Sequence, residues 1–534
     1  MNEIKMPWFK RGDVDATIGV FFDGFTKIIV GVGVLTGIMK MSNEMVFGKL
    51  VSAIGMTAFL LLLFNTLYAR RLGKKTGNAE LTALPGGISG GTFFVWLYAL
   101  LVPVYSQTGD AIYAWKVAIN VNIIYSVLII ICAFIIKFII QKIPSEAMLG
   151  SVVGGSMAYL LMTSLADGFS TPIVQIPALF MLIFLQFGRI KLKKFSPAFI
   201  AVGLGTILAW VTGAMHVSDF TASFQNIGFY LPLPQLGLVG GKAFQAALSY
   251  LPIAFAYAFA DVTALLQGVE QAEQSGEKYD PKICLLETGC VNLIGSFIGN
   301  PFPMNIYWGH PAWKKAKAGT SYPLFVGALY LVLCMTGLVA IATSAIPSAA
   351  TLIMLIFVAI TTGTQSYSVV NKKYYPAMIM ATAIPIFEML YGKVENGVSA
   401  ASNAIGAAIN SAGIDFDVSS VAVTQADLAG TGVSKGFFAL GKGSMMIAIL
   451  FACIMIFVID RKWLQAGVSA LVAAVCAFFG IIHSATVTVN AAPVFMWIYI
   501  AIAVFFFIIH VLSKSRPELQ PELEEIKAEE ETKE

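Results

Sequence analysis

Residues 83–94 read Ala83-Leu84-Pro85-Gly86-Gly87-Ile88-Ser89-Gly90-Gly91-Thr92-Phe93-Phe94, and residues 299–311 read Gly299-Asn300-Pro301-Phe302-Pro303-Met304-Asn305-Ile306-Tyr307-Trp308-Gly309-His310-Pro311. Both stretches lie among apolar segments, yet proline and glycine at this density keep a helix from forming cleanly. Inside a bilayer, unpaired backbone is tolerated only where it faces protein or a wet cavity. A pair of interrupted segments at matching places in two halves of a chain is the strongest sequence pointer to a transporter's binding site. The two stretches are therefore expected to meet near the membrane midplane and to build a pocket there.

The composition fits that setting. Of 534 residues, 57% are hydrophobic and 12% are charged, against about 25% charged in soluble domains. The mean hydropathy is +0.79. Apolar spans are expected at about 17–39, 50–69, 84–103, 113–140, 145–165, 172–188, 195–215, 243–268, 282–299, 302–313, 322–345, 349–370, 374–392, 443–459, 463–482 and 494–512, which is sixteen if every one crosses. The first 16 residues carry Lys5, Lys10, Arg11, Asp13 and Asp15 and lack the apolar core of a cleavable signal. Cys132, Cys284, Cys290, Cys334, Cys453 and Cys476 form no CxxC pair and read as small packing residues.

Basic clusters set the orientation. Arg70, Arg71, Lys74 and Lys75 follow the second span; Arg189, Lys191, Lys193 and Lys194 follow the sixth; Lys314, Lys315 and Lys317 follow the tenth. By the positive-inside rule both termini are expected to be cytoplasmic, in the plasma membrane. An odd-numbered repeat gives two halves of opposite orientation. The strings Ile143-Pro144-Ser145-Glu146 and Ile346-Pro347-Ser348-Ala349 open the fifth and twelfth spans, seven apart, as the two broken segments are. The expected fold is thus an all-α polytopic membrane protein, a 7+7 inverted repeat with broken third and tenth spans and an extra C-terminal hairpin. Its parts are an N-terminus at 1–16, a first repeat at 17–215, an external loop at 216–241, a second repeat at 242–459 with an external loop at 394–432, a hairpin at 460–512 and an acidic tail at 513–534.

Ionisable groups within spans cost roughly 2.5–3.5 kcal/mol each at a helix centre, so each is a functional candidate. Asp23 and Lys27 stand four apart on one helix face, where an ion pair or a structural tie is expected. Asp261 has no basic residue one turn away in its span and needs a substrate, a coupling ion, a proton or a partner helix. Glu388 reads as interfacial. His310 reads equally well as a substrate or proton group and as an ordinary interfacial histidine. The substrate-binding set is Phe93, Asp261, Tyr307, Gly309, His310, Asn305 and Thr92; Asp261, Asp23 and Lys27 are the coupling-ion or proton candidates. No GxxxxGK[ST], HExxH or GxSxG appears, which argues against an ATP-driven pump or an enzyme. No metal or cofactor is expected. The partners expected are a small-molecule substrate, a coupling cation and the bilayer, with a homodimer left open and no nucleic acid.

Gly12-Asp13-Val14-Asp15-Ala16, Leu81-Thr82-Ala83-Leu84-Pro85-Gly86-Gly87-Ile88, Ile143-Pro144-Ser145-Glu146-Ala147 and Gly299-Asn300-Pro301-Phe302-Pro303 leading to Tyr307 together resemble the nucleobase–cation symporter family of xanthine, uracil and ascorbate permeases, over roughly residues 12–460. The resemblance implies a core of spans 1–4 and 8–11, a gate of spans 5–7 and 12–14, and short extended stretches at the site. It aligns Phe93 with the aromatic position of span 3 and Asp261 with the substrate-binding glutamate of span 8. The chain departs from the pattern where Gly309 replaces a second glutamate and Leu265 replaces a histidine, leaving Lys27 and His310 to make up part of the loss. Two functions stand as expectations. One is coupled transport of a nucleobase by alternating access with H+ or Na+. The alternative is anion transport, of sulfate, bicarbonate or carboxylate, on the same fold.

Overall fold

Pro85 and the glycines after it stop one helix from running through the first break, and Pro301 and Pro303 do the same at the second. In the computed structural model each break becomes a three-residue strand, β1 (Gly86–Ile88) and β2 (Met304–Ile306). They pair antiparallel, with Gly86 opposite Ile306, Gly87 opposite Asn305 and Ile88 opposite Met304. Backbone bonds extend the ladder at both ends: the Ser89 N–H donates to the Pro303 carbonyl (2.9 Å) and the Tyr307 N–H to the Pro85 carbonyl (3.1 Å). Each broken segment thus supplies the backbone partners the other lacks, which the membrane interior demands.

The structure describes residues 6–188, 190, 197–307, 309–414, 423 and 425–520. The basic cluster Arg189–Lys194 in its greater part, Trp308, part of the expected loop at 394–432 and the tail beyond 520 lie outside these. Among the described residues eight helices are long and apolar enough to cross a membrane, or up to ten if each of two bent pairs is one span. Pro172–Phe187, Phe199–Val211 and Trp463–Phe478 are shorter apolar helices. Among the described residues the protein is an almost entirely helical polytopic membrane protein, with the two short strands replacing helix at the breaks. The C-terminal hairpin is present as the packed helices Trp463–Phe478 and Pro493–Ser513.

Contacts divide the chain into two units. One is Met1–Ile136, Ser156–Ala247 and Tyr257–Thr362; the other is Lys137–Gly155, Leu248–Ala256 and Gly363–Glu534. Both breaks and every residue of the candidate site lie in the first. There the helices Gly12–Gly33, Ser52–Thr76 and Tyr322–Met335 pack through small residues and rings. Tyr330 stacks on Phe21, with centroids 5.2 Å apart, and donates to the Phe21 carbonyl at 2.6 Å. In lipid, such close approach replaces the hydrophobic drive as the source of helix association. In the second unit the helix Ser145–Gly155 lays Gly150 and Gly154 against Ala381, Thr382 and Pro385.

Both bent spans turn on glycine. Tyr322–Met335 and Leu338–Ala345 meet at 92°, and Lys435–Gly441 and Ser444–Ile459 at 85°. Gly337 and Gly443 have φ of 70° and 80°, and a Cβ would lie 2.0 Å from the Asn226 carbonyl oxygen and 2.3 Å from that of Ile481. The region from 394 differs from expectation: the helix Tyr375–Ser411 continues through it. Its alanines and asparagines lower the hydropathy without breaking the helix. Glu388 lies mid-helix and buried, and it accepts a bond from the Ser444 hydroxyl.

Candidate functional site

Side chains close the outer edges of the strand pair. The Asn292 carboxamide donates to the Met304 carbonyl and accepts from the Met304 N–H, both at 2.7 Å. Asn65 donates to the Leu84 carbonyl at 3.3 Å, and Trp115 donates to the Gly299 carbonyl at 2.9 Å. Asn300 brackets Phe302 in the same way, with both bonds at 2.9 Å. These residues stand on unbroken helices or beside the break, so the crossing is held from outside as well as along its ladder.

Asp261 is the node that joins the eighth span to the crossing. Its carboxylate accepts from the hydroxyls of Ser89 (2.7 Å), Thr92 (2.7 Å) and Tyr125 (2.6 Å). Its backbone carbonyl accepts from the Asn305 carboxamide at 2.9 Å. Three hydroxyl donors occupy the carboxylate. Ser89, standing at the N-cap of the helix that begins at Gly90, gives its hydroxyl to Asp261 and makes no cap bond.

That leaves the helix start open. Helix from Gly90 to Thr108, with a π-helical stretch at Trp96–Leu101, follows β1 directly. The first N–H groups of a helix have no acceptor within it. A Cβ built at Gly91 would meet nothing within 4 Å, and one at Gly90 would lie 3.9 Å from the Lys27 Nζ. The Lys27 side chain is 3% exposed; its ammonium pairs with Asp23 at 2.5 Å and donates to the Ile88 carbonyl at 3.2 Å. It also stands 5.8 Å from the centre of the Tyr307 ring. Open space, backbone donors and a buried cation therefore share one place beside the first break.

The second break is closed. Gly309, with φ of 116°, precedes the short helix His310–Lys315, and its N–H donates to Gln271 Oε1 at 3.0 Å. His310 is fully buried, and its Nε2 lies 2.8 Å from Glu277 Oε2. Glu277 also accepts from the Thr82 N–H (3.1 Å to each oxygen) and from the Lys314 ammonium. Burial alone would push the Glu277 carboxyl up, but the bonds from His310, Lys314 and the Thr82 N–H outweigh it and hold the group below the usual range.

Of the residues singled out in the sequence, Asp261, Thr92 and Asn305 come together in one hydrogen-bonded cluster. Asp23, Lys27 and Tyr307 form a second, and Gly309 and His310 belong to a third. Phe93 is fully buried. Its ring lies 4.4 Å from that of Phe302, and a Cβ on Gly31 would sit 2.9 Å from its edge, so both neighbours pack on it. A cleft of about 540 Å³ is lined among others by Ile29, Val32, Thr36, Asn226 and Ser344, with Asp219 as its one charged residue among the described residues; none of the site residues singled out in the sequence lines it. Ser89, Tyr125, Gln271 and Glu277 were not anticipated. Glu277 sits in a polar run that reads as a loop, and Tyr125 in a span that reads as plain apolar helix.

No protein-family model and no curated protein matches the chain. Among solved structures, it resembles the transmembrane domain of a cyanobacterium bicarbonate transporter, BicA, at 13% identity over 73% of this chain and 97% of that one, with a TM-score of 0.48. It resembles the overall structure of SLC26A9 at 14% identity, over 72% and 65%, with a TM-score of 0.45. It also resembles the murine Slc26a9 anion transporter in its inward-facing state at 12%, over 73% and 68%, with a TM-score of 0.43. The expected kinship with nucleobase–cation symporters, and a nucleobase as substrate, are thereby corrected: the structures found are those of bicarbonate and anion transporters. The physical reason lies in the motifs. Pro85-Gly86-Gly87 and Pro301-Phe302-Pro303 encode the geometry of a broken span and carry no information on the solute. Its long apolar helices mark the chain as a multi-pass membrane protein.

Proposed function

We propose that the protein is a secondary transporter of a small anion, working by alternating access, with its site at the first break. The observation that carries the reading is the Lys27 ammonium, buried beside the open start of the Gly90 helix. An anion there would gain charge-assisted bonds from Lys27 and from the backbone N–H groups of Gly90, Gly91 and Thr92. Asp261 would not repel it strongly, because three hydroxyl dipoles point at that carboxylate. Asp23 is the counter-charge of the empty site and is the more exposed partner, at 23%; an incoming anion competes with it for Lys27. Coupling to a cation gradient, plasma-membrane residence and cytoplasmic termini are part of the proposal, the last supported by the basic clusters after the even-numbered spans.

The test is uptake into proteoliposomes of bicarbonate, sulfate, chloride and small carboxylates, with uncharged heterocycles as controls. Uptake or exchange of at least one anion, lost in Lys27→Met, is the expected result. Transport confined to an uncharged solute would overturn the proposal.

A further inference from the structure

We infer that His310 Nδ1 binds the proton that travels with the anion, within a buried clasp of Glu277, His310 and Lys314; its part in coupling rests on the anion-transport reading. A carboxylate can only accept, so the 2.8 Å contact with Glu277 requires the hydrogen of the imidazole to sit on Nε2. The titrating position is then Nδ1. Nδ1 is buried and has no hydrogen-bond partner among the described residues. The ring is also fully buried, so it is held by one nitrogen and, among the described residues, unpartnered at the other.

The surrounding charges suit reversible loading. Glu277 and Lys314 balance one another, so the clasp is neutral with His310 neutral and carries one positive charge with His310 protonated. The carboxylate contacts the ring at 2.8 Å and also binds the Lys314 ammonium, so both charges face His310 through one group. The other titratable groups facing the clasp are the hydroxyls of Tyr279 and Tyr322. Tyr279 donates to the Thr82 carbonyl at 2.7 Å and Tyr322 to the Ala83 carbonyl at 2.9 Å. Glu80, paired with Lys10 at 2.8 Å, and Asp13, which accepts from the Gly319 N–H at 2.6 Å, stand further out.

The clasp also touches both breaks. Thr82, bound through its N–H to Glu277, leads into β1, whose last carbonyl holds Lys27. His310 follows Tyr307, over whose ring Lys27 stands, by three residues. A proton gained at Nδ1 therefore adds positive charge to the lead-in of the strand pair that holds the proposed anion site. Proton and monovalent anion together cross as a neutral set, which is the physical basis of coupling here.

Nitrogen NMR of histidine-labelled protein in lipid nanodiscs tests the binding directly. The chain has four histidines, and His310→Gln assigns the signal. A change of the His310 Nδ1 signal from the unprotonated to the protonated form as pH is lowered, altered in Glu277→Gln, is expected. A signal that never changes would overturn the inference. Transport gives a second, separable readout. A one-unit inward proton gradient should concentrate the anion up to about tenfold in wild-type vesicles. The ratio of uptake with and without the gradient should fall to one in His310→Gln, which keeps a donor for Glu277 but cannot take up a proton. Anion uptake that still responds to the gradient in that variant overturns the inference and leaves the anion reading standing. If wild-type vesicles move no anion at any pH, the anion reading falls, and the titration alone decides whether His310 loads a proton. If His310→Gln does not fold, replacing His216, His483 and His510 instead leaves His310 as the one labelled histidine, and the titration decides.

Discussion

The two breaks share a strand pair but differ in the residues that come after each strand. After β1 the helix start is open: Ser89 turns its hydroxyl to Asp261, Gly91 faces empty space, and Lys27 stands alongside. After β2 the corresponding N–H at Gly309 is stoppered by Gln271, and the next residue is locked to Glu277. The first break leaves space at its helix start, and the second has turned its donor to internal use. A paired backbone thus carries unlike surroundings, and on the proposed reading side chains from neighbouring helices leave the first break as the one that binds.

The largest expected effect is at the open break. Lys27→Met should lower anion uptake by about 100-fold, the scale of one lost hydrogen bond to a charged group. Uptake within a fewfold of wild type would place the solute elsewhere. Next is the second break, where Asn292→Ala strips Met304 of both edge bonds. Two buried backbone groups left unpaired should reduce stability by roughly 2–4 kcal/mol, seen as a lower melting temperature; an unchanged value would mean that β2 does not depend on its outer edge.

A finer comparison uses Gly91→Ala. The position is helical and has room for a Cβ, and alanine favours helix over glycine by about 1 kcal/mol. Stability should hold or rise while anion affinity falls several-fold. Equal affinity would argue that the space beside Gly91 stays empty during transport. The smallest effect is at the clasp of the second break. The Glu277 carboxyl is held below its ordinary value of 4.5 in the folded chain, so its stabilisation is present above the unfolded value. It is lost as pH falls through the folded one. Melting temperature measured from pH 6 down to pH 3 should therefore decline less steeply in Glu277→Gln than in wild type. Parallel curves would remove Glu277 from the acid response.

Much of this was readable in the chain. Prolines and glycines at 83–94 and 299–311 mark the breaks because helix is forbidden there, whatever the neighbours do. The apolar segments follow from bilayer thickness in the same way. The partners of the breaks were less legible. Thr82 and Glu277 are 195 residues apart, and only the fold turns a loop carboxylate into a buried anchor. Asp261 could be recognised as needing a partner, but three uncharged hydroxyls met that need, and uncharged donors leave no charge pattern in the sequence. The helix through 394–411 was hidden because small polar residues lower hydropathy while still allowing helical backbone. The solute was beyond reach of the motifs, which describe how the chain bends.

Asn292 has one further implication. Its carboxamide reproduces the donor and acceptor of a peptide group and stands where a third strand would lie against Met304. The crossing is thus a sheet whose missing member has been reduced to a single side chain. In a mutational scan that position will tolerate almost no replacement although it touches no solute, and intolerance there should be credited to carpentry and not to recognition.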